Sequence, residues 1–431
     1  EQTQDERACF WQIRDLDGRE VPSQPHCWRE NGKTYCQIYF RAENIPAIGY
    51  RCYWLMPRPI GNPVPPVPAP GTGFVLENER LRVTVDPATG NLSGLFDKLY
   101  RRDLLSRGSN ELQAFRDSGQ YWDAWDIAPN YAQFPLPPAQ LVQIFYEDRG
   151  PLTTQIRVIR RIGQSTFNQV YRLDQGAALM RIENQVDWRE RQVLVKAAFN
   201  FNINASVASY EIACGAIQRT TRPQAPAERA KWEVPALRWA DLSDSVTSNS
   251  FGVSILSNCK HGYDARPNQL RLSLLRGSLW PDPKSDLGQH QFTYAVYSHD
   301  RDWQAGQTVR RAAELNQPLR VLNLSPTSLR PVGQANLPPV GEFLSLPANF
   351  MLTAFKPSEE SSPTSPSQWI LRGYECHGSS GQLNWQNGLG ATLKQVLNPS
   401  ATRLNLLEQP VSEPVGPISP WQITTYRFNR V

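Results

Sequence analysis

Histidine and methionine are scarce in this chain, with 5 and 3 among 431 residues. The histidines are His26, His261, His290, His299 and His377. No two stand at the spacing that brings two imidazoles onto one ion, so a histidine-built metal site is not expected. Each reads as a structural histidine with its own hydrogen-bond partner. His299 and Asp300 are adjacent, but neighbours on a strand point to opposite faces. Cysteine is sparse too. The 7 cysteines contain no Cys-x-x-Cys pair, which argues against a zinc ribbon, and their odd number makes no complete disulfide framework. Two readings stay open. Cys9, Cys27, Cys36 and Cys52 pair in an oxidising compartment, or the thiols are reduced and mostly buried in a cytoplasmic protein; the second is the expectation.

Other absences narrow the function. No apolar run is long enough to cross a bilayer, so no membrane association is expected. There is no Gly-x-Ser-x-Gly elbow and no phosphate-binding loop. A Ser/His/Asp or Cys/His site assembled from distant residues remains open. The net charge of +5 is mild for this length. Its basic residues are scattered apart from short clusters such as Arg160-Arg161 and Arg310-Arg311, so a nucleic-acid partner is not expected. Runs of Ala, Leu, Glu and Lys are missing, and helix should be rare. The chain begins at Glu1 and no leader is visible. A processed product or a piece of a longer chain is expected.

Proline, glycine and tryptophan are abundant, at 36, 27 and 13 residues. That mixture suits short strands and many turns. Residues 1–56 read as a small β unit. Gln37–Phe40 and Tyr50–Leu55 are strand-like, and an Asn31-Gly32 turn lies between Glu30 and Lys33. Residues 57–73 are proline-dense and read as a semi-rigid linker. From 74 to 320 a large β-sandwich is expected. Leu81, Val83 and Val85 alternate with polar residues, Asp86–Gly90 turns the chain, and Leu92, Leu95 and Phe96 restart it. Between Val193 and Ile203 the apolar positions share one face. Lys196, Asn200 and Asn202 share the other, which should be wet. Thr308–Leu315 is the best helix, with Val309, Ala312 and Ala313 on one side and Pro318 beyond its end. Residues 321–431 read as a smaller β domain. The fold class is all-β: a large antiparallel sandwich flanked by smaller sandwich units.

One segment concentrates chemistry. Gln120-Tyr121-Trp122-Asp123-Ala124-Trp125-Asp126-Ile127 places three aromatics and two carboxylates in a few residues. Aromatic faces stack on the C–H faces of sugars, and carboxylates accept hydrogen bonds from hydroxyls. The competing reading is a sandwich edge where the indoles bury and the aspartates cap a turn. Asp123 and Asp126 make a glycosidase pair only if a turn brings both to one sugar.

A series of segments in fixed order is similar to glycoside hydrolase family 38, the class II α-mannosidases. It runs from Asp17–Gln24 and Pro46–Arg51 through Leu76–Glu79, Gly94–Lys98, Tyr121–Asp126 and Trp239–Ser243. It continues with Gly262-Tyr263-Asp264, Leu270–Arg276, Trp280–Pro283, Asp286–His290 and Asn405–Glu408. Departures at Leu237, Ala213-Cys214-Gly215 and Cys259-Lys260-His261 bear on particular contacts, not on the fold. The resemblance implies a galactose-mutarotase-like supersandwich and a place in the carboxyl-terminal half of a retaining α-mannosidase. It also implies a zinc ion in a preceding catalytic domain, and the His-x-Asp and His-His-Asp motifs that would hold it do not occur here. No cofactor is expected in this chain. By the resemblance, Tyr121, Trp122, Asp123, Trp125 and Asp126 lie near the sugar pocket, with Asp286 and His290 on a neighbouring edge. Trp239 and Tyr263 are expected in the core. Expected partners are an α-mannoside or oligosaccharide at the pocket edge and the chain's own catalytic domain. Self-association through exposed β faces is a further expectation. Alternatives are a stand-alone carbohydrate- or partner-binding module and one subunit of a split mannosidase.

Overall fold

The computed structural model describes residues 11–57, 73–119, 122–244, 250–324, 338–362 and 366–431, without the side chains of Cys27 and Thr34. Most of the 57–73 segment therefore lies outside the described residues, as do Gln120 and Tyr121. The protein is all-β, with antiparallel sheets and a few short helices. It divides into two compact units.

The larger unit comprises Pro65–Ala213 and Ile217–Pro318. A nine-stranded sheet carries the long strands Gln140–Arg149, Thr153–Ile162, Ser165–Asp174 and Leu179–Trp188, each paired with the next, and the last of them pairs with Gly288–Asp300. A five-stranded sheet runs Glu111–Arg116, Val193–Asn200, Gln269–Leu275, Gly262–Arg266, Val234–Pro235. Inward-facing residues of both sheets form one apolar core, including Ile156, Phe167, Trp188, Phe199, Leu272 and Tyr294. Tyr263 belongs to that core, and Trp239 is equally buried. The Asp86 turn forms as read: its carboxylate accepts the Ala88 N–H at 2.9 Å and the Thr89 hydroxyl at 2.7 Å, and Gly90 takes a φ of 72°. The helix spans Thr308–Asn316 and buries Thr308, Val309 and Ala312.

Lys196 departs from expectation. Every residue of Val193–Asn200 is buried, so the face read as wet is covered at Lys196 and Asn200, while Asn202 beyond the strand is exposed. The cover is the stretch around Tyr131, which packs with Phe115, Ala128 and Leu194 in a second small cluster. Period-two alternation marks two faces, but it does not say whether a loop returns over the polar one. Lys196 is retained there by charge. Its ammonium donates to Asp264 at 2.5 Å and also to Glu233. Arg271 donates to the other Asp264 oxygen at 2.8 Å and to the Tyr131 hydroxyl at 2.7 Å. Burial alone would depress the ammonium, but the two carboxylates outweigh it and hold Lys196 above its ordinary value. Burial likewise pushes Asp264 up, and Lys196 with Arg271 reverses this and keeps it low.

The smaller unit comprises Glu1–Val64, Cys214–Ala216 and Leu319–Val431. The two ends of the chain meet in it: Gly49–Arg51 pairs with Val340–Glu342. A four-stranded sheet of Phe350–Pro357, Gln368–Glu375, Ile423–Arg430 and Leu397–Leu404 covers a core of Leu344, Leu371, Trp385, Leu389 and Tyr426. Ser23–Glu30 and Lys33–Phe40 make a hairpin whose Asn31 and Gly32 take φ of 50° and 73°, the positive pair that the Asn-Gly signal predicts. Tyr50–Leu55 is not one strand. Gly49–Arg51 and Trp54–Pro57 belong to different sheets, and Cys52 and Tyr53 turn the chain between them. Cys36 is disulfide-bonded, against the expectation of reduced thiols, and it faces Cys27 in the hairpin register. Cys52, Cys214 and Cys259 are free, and the buried Cys376 thiol faces the Ala348 carbonyl. Strand register is a property of pairing, which spacing along the chain does not reveal.

Candidate functional site

The aromatic segment lies on a loop of the larger unit, between the strand ending at Arg116 and Tyr131. A turn forms where the carboxylates require one: the Trp125 N–H donates to the Trp122 carbonyl at 2.7 Å, with Trp122 at a φ of 53°. A second loop, following Leu275, meets the first. The Ala124 N–H donates to the Trp280 carbonyl at 3.0 Å, and the Leu279 N–H donates to Asp123 Oδ2 at 2.6 Å. Gly119 allows the close approach, since a Cβ there would sit 2.9 Å from Asp123 Oδ1.

Arg276 joins the two loops. Its guanidinium donates to the buried carboxylate of Asp117 and to the backbone carbonyls of Asp123 and Asp126, and lies 3.3 Å from Asp123 Oδ1. The other Asp117 oxygen accepts the Ala128 N–H at 3.0 Å. A planar fork with several donors suits this task, because one side chain satisfies carbonyls and carboxylates of two segments together.

The turn separates the two aspartates of the segment. Asp123 is buried and both its oxygens are engaged by Arg276 and Leu279. Asp126 is exposed and makes no hydrogen bond through its carboxylate with any described residue. They do not face each other as an acid and a nucleophile. Asp286 accepts the Gly277 N–H at 3.1 Å and the Arg276 N–H at 3.3 Å, and so holds the second loop. His290 Nε2 donates to the Asp286 carbonyl at 2.6 Å, which orients the ring from the neighbouring strand. The structure thus gathers Trp122, Asp123, Trp125, Asp126 and Asp286 on two bonded loops, with His290 on the adjoining strand. Tyr121 lies outside the described residues.

The indoles do not bury. Trp122 is 66% exposed, Trp125 69% and Trp280 47%. Trp280 stands between the other two, with ring centroids 5.2 Å from Trp122 and 5.4 Å from Trp125. Sequence reasoning missed Trp280, Arg276 and Asp117 as members of this site. The run Trp280-Pro281-Asp282-Pro283 was quoted only as a segment of the family resemblance, and only the fold brings it to the first loop.

A Ser/His/Asp group also assembles, elsewhere in this unit. Ser254, His299 and Asp241 are all buried, and His299 Nε2 faces both Asp241 at 2.8 Å and Ser254 at 3.1 Å. A relay uses the two ring nitrogens separately, and its nucleophile must reach a substrate. This group does neither and is structural. No group of three or more His, Cys, Asp or Glu among the described residues could hold a metal ion. No helix among the described residues is long and apolar enough to cross a membrane.

Comparison with known proteins fits this architecture. Residues 76–284 match the glycosyl hydrolases family 38 C-terminal domain, and residues 349–426 match the glycosyl hydrolases family 38 C-terminal beta sandwich domain. The chain belongs to glycosyl hydrolase family 38. Among curated relatives, alpha-mannosidase 2C1 of Homo sapiens is 34% identical over 308 residues, covering 70% of this chain and 28% of the relative. Alpha-mannosidase 2C1 of Mus musculus is 33% identical over 291 residues, covering 64% and 27%. This family 38 chain therefore spans about a quarter of the length of those relatives. An alpha-mannosidase from Enterococcus faecalis shares the fold with a TM-score of 0.74 at 13% identity, over 97% of this chain and 51% of the other.

Proposed function

We propose that the chain is the non-catalytic β portion of an α-mannosidase that hydrolyses terminal α-mannosides with retention. It supports a catalytic domain and lines the edge of that domain's sugar pocket with the loops that carry Trp122, Trp125, Trp280 and Asp126. By itself it turns over no substrate. The observation that carries this reading is the pair of matches, both to C-terminal domains of the family. Retaining chemistry needs a nucleophile and an acid/base roughly 5 Å apart across the scissile bond. The most suggestive carboxylates, Asp123 and Asp126, are divided between a structural tie and open surface. In this reading the nucleophile and the zinc belong to the catalytic domain, and this chain contributes shape and aromatic contact.

Release of nitrophenol from 4-nitrophenyl α-mannoside, with zinc present, tests the proposal on residues 1–431 and on a version extended upstream. Activity in the extended version alone is the expected result. Zinc-dependent turnover by the 431-residue chain would overturn it. A cytoplasmic location is part of the same proposal. The free thiols of Cys52, Cys214 and Cys259 support it and the Cys36 disulfide weighs against it, so counting titratable thiols in protein trapped at lysis decides between them.

A further inference from the structure

We infer that a cavity of the smaller unit binds a small zwitterion, an α-amino acid with an apolar side chain, its carboxylate on Arg427 and its ammonium on Glu360. The inference goes beyond the sugar-facing role proposed above, because the cavity lies within the smaller unit and shares no residue with the tryptophan loops. It measures about 250 Å³. Its floor is the face of the four-stranded sheet turned away from the apolar core. Ile370 and Arg427 stand opposite each other there in register, while their neighbours Leu371, Tyr426 and Phe428 belong to the core on the other side. Residues 358–360 and 407–410 form the walls.

The walls are in place before a ligand arrives, so little ordering is left to oppose binding. Lys356, which pairs with Ile370 across the sheet, makes ion pairs with Glu359 and, at 2.8 Å, with Glu408. The Glu359 N–H donates to Glu408 Oε2 at 3.2 Å, so the two walls are tied to each other. Asn405 accepts the N–H groups of Leu407 at 2.9 Å and Gln409 at 3.0 Å, which fixes the second wall.

Two charges are left over. The Arg427 guanidinium makes no hydrogen bond or ion pair with any described residue, and its Nε is buried. The exposed Glu360 carboxylate has no such partner either. Both line the cavity, and they do not pair with each other. A buried donor on a cation is costly without an acceptor, and an incoming carboxylate supplies one. The mixture of charges selects the ligand. A phosphate dianion would meet Glu359, Glu360 and Glu408. A metal ion would meet Arg427, and Lys356 already holds two of the three carboxylates. An uncharged ligand would cover both free charges without answering either. Ile370, Leu407 and Pro410 offer apolar surface to the ligand's side chain.

Calorimetry on the 431-residue chain with L-leucine, 4-methylpentanoate and 3-methylbutylamine tests this. The last two keep the branched carbon chain and lack the ammonium or the carboxylate. L-leucine should bind about tenfold or more tightly than either. Arg427→Gln and Glu360→Gln should each lower leucine affinity by about tenfold, with circular dichroism showing folded protein. Glu360 is exposed, so its variant keeps the test decisive even where Arg427→Gln disturbs the sheet. Binding of none of the three probes, equal affinity for leucine and either truncated probe, or unchanged leucine binding by Glu360→Gln would each overturn the inference. Nitrophenol release by the extended protein is scored separately, so failure of this site and failure of the proposed function are distinguishable outcomes.

Discussion

Asp123 accepts the Leu279 N–H at 2.6 Å, and this bond ties two loops that lie 156 residues apart in the chain. The aspartate of the aromatic segment is therefore an internal strut. Asp123→Ala removes the acceptor and leaves a buried N–H without a partner, which costs about 1–3 kcal/mol. The expected outcome is a lower urea midpoint together with a red-shifted, more quenchable tryptophan emission. Asp126→Ala should leave both unchanged, since its carboxylate is exposed.

Arg276 should not tolerate lysine. A single ammonium cannot reach Asp117 and two carbonyls together, so Arg276→Lys should loosen the loops despite keeping the charge. Hydrogen exchange of the 117–128 backbone should rise, while exchange in the strand Thr153–Ile162 stays as it was.

Lys196→Met leaves the buried Asp264 and the half-buried Glu233 without their shared cation. Breaking a buried pair from one side costs about 3–5 kcal/mol. Urea denaturation should show the larger unit destabilised by that order. A double change to Lys196→Met with Glu233→Gln should recover part of the loss, because it removes one of the stranded charges.

Acid should weaken the smaller unit through Glu375. Burial would raise this carboxyl, but N–H groups of Trp421, His377 and Gly378 and the Ser379 hydroxyl hold it below its ordinary value. A carboxylate depressed in the folded state adds stability that is present above its unfolded pKa and lost as pH falls through the folded one. Glu375→Gln should flatten the acid limb of a thermal-stability profile below the ordinary glutamate range. An unchanged acid limb would show that the carboxylate contributes nothing there.

Trp385 packs edge-on against Tyr426 at 5.0 Å and Phe428 at 5.1 Å in the smaller core. Trp385→Ala should cost about 3–5 kcal/mol, read as a lowered denaturation midpoint in the smaller unit.

Local chemistry was legible without the fold. The Asp86 turn, the Asn31-Gly32 hairpin and the Thr308 helix each rest on residues adjacent in sequence, and each forms where those residues place it. The aromatic segment was legible as a surface of interest for the same reason. Its partners were not. Arg276 and Trp280 reach it only because the strand Gln269–Leu275 ends beside the loop after Glu111–Arg116, with Val193–Asn200 lying between the two strands. Lys196 was misread as solvated because alternation reports two faces of a strand and is silent about what later covers them. The Cys36 disulfide was missed for a related reason: the cross-strand register that supports it is a property of pairing.

The sequence by itself determined an all-β chain, several of its turns, and its membership of a mannosidase family, because composition, period and motifs are carried by residues near one another. The tertiary structure alone decided that Asp123 is a strut, that Lys196 is a buried cation, and that Trp280 completes a row of three exposed indoles. Those roles depend on which distant segments become neighbours, and side-chain burial and charge pairing take their sign from that neighbourhood.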